Sequence, residues 1–131
     1  MSFIQTVLAF LVALTVLIFV HEMGHFLAAR WCGVKVLRFS IGFGTPIWKR
    51  SLGRDQTEWV VAAIPLGGYV RMLDERDRDD PEPIAPAELH RAFTRRPLHQ
   101  RAFIVVAGPL ANFLLAIALY AVLAGIGTPE P

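Results

Sequence analysis

Two histidines and a glutamate, in His21-Glu22-Met23-Gly24-His25, follow directly on twenty residues that carry no charge. On a helix, residues four apart lie about 40° apart around the axis and one turn along it. His21 and His25 then project from one face, where their ring nitrogens can reach a single ion. Glu22 falls about 100° from His21 and about 60° from His25, on the flank of that face. Two imidazoles at ~2.1 Å from a divalent cation, with a carboxylate beside them to take a proton from water, form the arrangement of a zinc hydrolase. Zn2+ is the expected cofactor, with His21 and His25 as ligands and Glu22 as general base.

Two other readings compete: a pair of structural histidines, and a proton relay or ion path. Each ionisable residue placed in a membrane helix costs about 2.5–3.5 kcal/mol, so three together call for a compensating role, and a metal supplies one. The site is one ligand short, because catalytic zinc takes three protein ligands. His90 and His99 read as solvated, and Asp74, in Met72-Leu73-Asp74-Glu75-Arg76, belongs to a charged loop.

The elements that must position this cluster are apolar. Of the 131 residues 54% are hydrophobic, and residues 1–20 and 102–129 are uncharged. Each block holds at least ~18–20 apolar residues, enough to cross a ~30 Å hydrocarbon core. The expected fold is an α-helical membrane protein: two transmembrane helices joined by a cytoplasmic loop with a small membrane-associated β-hairpin or sheet. The divisions are 1–31, the first spanning helix; 32–73, a reentrant or cytoplasmic β region; 74–100, a charged loop; 101–127, the second spanning helix; and 128–131, the start of a periplasmic region. A cleaved signal peptide fits the first block poorly, since Met1 to Thr6 has no Lys or Arg and no small-x-small site follows.

All 13 Lys and Arg, from Arg30 to Arg101, lie between the apolar blocks. The positive-inside rule places that loop in the cytoplasm and both termini outside. Nine of the 11 acids share it, so no long basic run forms despite a pI near 9.1. Nucleic acid is excluded as a partner and the lipid bilayer is favoured. Cys32 is the one cysteine, so no internal disulfide exists, and it reads as a small residue in a boundary turn.

Gly33 suits the end of the first helix. Val34 to Ile41 alternates as a short strand, Ile41 to Pro46 is a turn signal, and Thr57 to Met72 is β-rich with a bend at Pro65 and Gly67-Gly68. Trp48, Trp59 and Tyr69 are aromatics of the kind that sit at a membrane interface. Whether this region dips toward the bilayer or forms a cytoplasmic sheet with its own core stays open from spacing alone. A short amphipathic helix is expected around Glu88–Arg95.

Three stretches together, Phe19 to Gly44, Ile64 to Glu75 and Gly108 to Phe113, resemble the amino-terminal part of the site-2 protease family, in its regulator-of-sigma-E branch. The resemblance implies a polytopic zinc endopeptidase of the bacterial inner membrane that cuts within or beside the transmembrane segment of a membrane-protein substrate such as an anti-sigma factor. It makes Gly42, Phe43 and Gly44 a loop near the active site. It makes Ile64 to Met72, with Gly67, Gly68 and Tyr69, a reentrant hairpin that holds substrate as an extended strand. Gly108, Pro109 and Asn112 match an element of the second core helix, where Asn112 either contacts substrate backbone or makes an interhelical contact. The third zinc ligand of the family is an aspartate on a later helix, so the missing carboxy-terminal half is a required partner and this chain alone is expected to be inactive. Two readings of other classes remain: a non-catalytic membrane module that binds substrate helices, and a metal-binding membrane carrier.

Overall fold

The computed structural model describes residues 2–76 and 84–127. Helix α1 spans Phe3–Trp31. Ser2 starts it with a capping box, its Oγ accepting from the Gln5 N–H at 3.1 Å while its own N–H donates to Gln5 Oε1 at 2.9 Å. A Schellman turn ends it: the Gly33 N–H bonds the Arg30 carbonyl at 3.1 Å and the Val34 N–H the Ala29 carbonyl at 2.9 Å. Gly33 takes a φ of +81°, which suits glycine in that motif.

Helix α2 spans Leu98–Ile126, beginning three residues earlier than the expected Arg101. Pro97 stands at the N-cap, its carbonyl accepting from the Gln100 and Arg101 N–H groups at 3.0 and 3.1 Å, and it holds Arg96 before it in extended backbone. Both helices are long and apolar enough to cross a membrane. They meet where residues are small: a Cβ on Gly24 would lie 2.8 Å from the Ala111 Cβ and closer still to the Ala107 carbonyl. Small side chains let two helix backbones approach in this way.

Between the helices lie β1 (Val36–Leu52) and β2 (Thr57–Met72), paired antiparallel. The register holds more than one hairpin. Trp48 to Leu52 faces Val61 to Thr57 across the turn, whereas Ile41 to Val36 faces Gly68 to Met72. Residues 38–41 also pair, in step, with residues 58–61. Both strands therefore bend back, and four short segments make one sheet. The bend in β1 falls at the Ile41–Pro46 turn signal, which the chain crosses as extended backbone rather than as a loop. Gly42 and Gly44 absorb the change of direction with φ of +92° and +84°.

Where an amphipathic helix was expected, two 3-10 turns occur, Pro86–Arg91 and Phe93–Arg95. They are tied to the sheet: the Lys35 N–H donates to the Arg91 carbonyl at 3.0 Å and the Phe93 N–H to the Leu73 carbonyl at 2.7 Å. Part of the charged stretch, residues 77–83, and the tail, residues 128–131, lie outside the described residues.

The core gathers at the last third of α1, the start of α2 and the sheet, around Phe26, Ala29, Val34, Val36, Phe39 and Ile104. Trp59 packs against this core, half-buried: its ring stacks on Phe39 at 4.7 Å and meets Phe26 edge-on at 5.1 Å. Trp48 and much of both helices beyond the core remain exposed, including Phe10, Phe113 and Tyr120. So large an uncovered apolar area marks a surface for lipid or for further protein.

Candidate metal centre

His21, Glu22 and His25 stand on the inner third of α1, where the helix turns from exposed to packed. The two imidazoles meet edge to face, ring centroids 4.7 Å apart, and their Nε2 atoms approach to 3.1 Å. His25 Nδ1 lies 2.7 Å from the Ile104 carbonyl oxygen. A carbonyl only accepts, so Nδ1 carries the proton and donates. The other ring nitrogen, Nε2, is then the one that faces His21. A backbone partner that fixes the tautomer in this way is the usual support for a metal-binding histidine.

These residues fit a zinc ion as far as they go. Two nitrogens on one tetrahedral ion at ~2.1 Å would stand ~3.4 Å apart, a few tenths of an ångström from the spacing seen. Among the described residues no group of three or more His, Cys, Asp or Glu forms that could hold a metal. Asp74 bonds Arg76 instead, and His90 and His99 are exposed. Among the described residues two candidate ligands come together and no third.

Helix α2 shapes the space around His25. A Cβ on Gly108 would fall onto that ring, 2.6 Å from Cε1. Only glycine leaves the imidazole room. One residue on, Pro109 withholds the N–H that the Val105 carbonyl would accept, which loosens α2 beside the Ile104 carbonyl. Glu22 is the most buried ionisable group on α1, 9% exposed. It lines a cavity of about 270 Å3 with His25, Gly68, Tyr69, Ile104 and Val105.

The sheet reaches this cavity through its last segment. Gly68 lies against α1 so closely that a Cβ there would meet the Ile18 Cγ2 at 2.9 Å and the Glu22 Cγ at 3.5 Å. Of the residues assigned to substrate by resemblance, Gly68 and Tyr69 line the cavity; Gly42, Phe43, Gly44, Ile64, Gly67 and Asn112 are not among its walls. Phe43 covers Gly67, pairs with Ile64 and stacks parallel to Tyr69 at 6.3 Å. Gly42 is wedged against the Ala62 and Ile64 carbonyls. Asn112, one turn along α2 from Gly108, has a buried Oδ1 with no hydrogen-bond partner.

Sequence reasoning did not single out Ile104, and it did not foresee what Gly24 and Gly108 do. A glycine inside an apolar helix, and another directly before an internal proline, were the available signals.

Comparison with known sequences places the chain in a peptidase family. The model described as Peptidase family M50 matches residues 9–128, and the chain belongs to that family. It is similar to a protein of Ralstonia nicotianae named as a zinc metalloprotease, 59% identical over 130 residues and covering 96% of this chain. It is also similar to Protease RseP of Yersinia pestis, 54% identical over 99% of this chain, and to Regulator of sigma-E protease RseP of Escherichia coli strain K12, 53% identical over 98%. The chain spans 28% of the length of each of these relatives.

Proposed function

We propose that this chain is the amino-terminal part of a zinc-dependent intramembrane endopeptidase of the site-2 type. The observation that carries the reading is the convergence of the His21 and His25 Nε2 atoms at 3.1 Å, with buried Glu22 between them in sequence, at the inner end of an apolar helix. Bound zinc would supply Lewis acidity and lower the pKa of water. His21 and His25 would hold it, the Ile104 carbonyl keeping His25 in the ligating tautomer. Glu22 would take the proton from the attacking water and pass it to the leaving amine.

The substrate is a transmembrane segment of a membrane protein, an anti-sigma factor in keeping with the name of the Escherichia coli relative. Helical peptide bonds are shielded, so the segment must be unwound before water can attack. The 68–72 segment pairs on one side with 36–41 and borders the cavity of Glu22 and His25, so an extended peptide could add beside it as a further strand. In this reading Gly67, Gly68 and Tyr69 form that edge, Phe43 and Ile64 brace it between Gly42 and Gly44, and Asn112 offers its unpartnered oxygen to substrate backbone. Both helices span the bacterial inner membrane, the sheet and charged loop lie on the cytoplasmic side with the Lys and Arg, and the termini face outward. The third ligand comes from the remainder of the whole protein, and without it this chain is inactive.

Glu22→Gln in the full-length protein tests the reading. Cleavage of a reporter carrying a transmembrane substrate segment should fall by about 10²–10⁴, with zinc still bound at one per protein by elemental analysis. Undiminished cleavage would remove Glu22 as the base, and a metal-free wild type would remove the zinc.

A further inference from the structure

A second cavity, about 470 Å3, opens at the other side of the foot of α1. Its lining includes two aromatics, Phe26 and Trp59, and four charged residues, Arg30, Arg54, Arg91 and Asp55. Three guanidinium groups against one carboxylate leave a net charge of +2. The carboxylate is already committed: Asp55 accepts two bonds from Arg91, both at 2.7 Å. Arg30 lies over the Phe26 ring, 5.7 Å from its centroid, and neither Arg30 nor Arg54 has a carboxylate partner among the described residues. Among the described residues the cavity thus offers two forks without a carboxylate partner beside an aromatic lining, with a third held by Asp55.

We propose that this cavity binds a phosphate group, gripped by Arg30 and Arg54. A guanidinium fork matches phosphate oxygens two at a time, and two forks on a partly enclosed wall suit a phosphate better than a single carboxylate. Arg30 stands in the last turn of α1. If that helix crosses the membrane as proposed above, Arg30 lies at headgroup depth, where basic pockets take anionic lipid. The phosphate is then that of an anionic phospholipid; a soluble phosphate is the other source of the same chemistry. Only the choice of source rests on the membrane reading.

The test uses the full-length protein in detergent, titrated by native mass spectrometry with short-chain phosphatidylglycerol, inorganic phosphate and octanoate. Phosphatidylglycerol should bind the wild type, and R30Q/R54Q should bind it about 30-fold more weakly. R30K/R54K should recover part of that loss, and R50Q, on an exposed strand position outside the cavity, should bind it like the wild type. Inorganic phosphate that competes as strongly as the lipid identifies a soluble phosphate as the occupant and supports the site. Octanoate binding as tightly as phosphatidylglycerol, an R30Q/R54Q variant unchanged, or an equal loss in R50Q each overturns it. Glu22→Gln should bind the lipid like the wild type, so a failed protease assignment leaves this result readable.

Discussion

The first eighteen residues of α1 and its last ten draw on similar apolar amino acids, yet they meet different surroundings. Phe3 and Phe10 are 83% and 62% exposed, whereas Phe26 is 5% and Ala29 0%. The contrast begins at Glu22, where the sheet lies on one side of the helix through Gly68 and α2 on the other through Gly108 and His25. Charged chemistry therefore stands at the point where protein replaces whatever surrounds the outer helix. An imidazole there can be oriented by a carbonyl, and a carboxylate can be walled in. Higher on the helix neither support exists among the described residues.

Removing a proposed zinc ligand should break that contrast most severely. His25→Ala in the full-length protein is expected to lose bound zinc and cleavage together, because it removes both a donor and the partner of the Ile104 carbonyl. Zinc content by elemental analysis and cleavage of a reporter substrate measure the two losses; full zinc occupancy would show that the metal sits elsewhere. Gly108→Ala should act through the same ring without touching its chemistry. A methyl there collides with the imidazole, so zinc affinity is expected to fall about 10–100-fold, the usual cost of disturbing a ligand's support. A chelator titration reads it. Gly125→Ala supplies the matched control at the other end of α2, where a Cβ meets open space. It should leave zinc binding unchanged and shift unfolding by no more than about 1 kcal/mol. Equal effects at the two glycines would dissolve the distinction.

Much of this contrast was legible in residues. The charge-free blocks located both long helices, and His-Glu-x-x-His located the cluster to the residue. Hydropathy and helical period carry that information locally. The sheet was legible only as a tendency, since its four-segment register depends on two strands bending back on themselves. Gly42 and Gly44 announced a turn and delivered a bend within a strand, because a positive φ serves either purpose. Trp59 was legible as an amphipathic aromatic but not as a neighbour of Phe26 and Phe39, which are distant in sequence. Ile104 could not be found at all: its contribution is a backbone carbonyl, which no side chain reveals.

The smallest effect concerns the charged side of the sheet, where Asp55 and Arg91 pin the 3-10 turn at Pro86–Arg91 to the β1–β2 turn. The Arg91 guanidinium, bonded to both oxygens, holds the Asp55 carboxyl below the ordinary aspartate value. A depressed folded pKa means that the pair's stabilisation is complete above the unfolded value, about 3.9, and is lost as pH falls through the folded one. Amide exchange at Lys35, whose N–H bonds the Arg91 carbonyl, should therefore quicken below about pH 4 once the intrinsic pH dependence is removed. Asp55→Asn should show the faster exchange already at pH 7 and no further step on acidification. Because the pair is partly solvated, the change is expected to be about 1 kcal/mol or less in local stability. His25, bonded to the Ile104 carbonyl on the opposite face of α1, should keep its zinc in Asp55→Asn. Loss of zinc there would mean that the charged loop and the metal site form one cooperative unit rather than two.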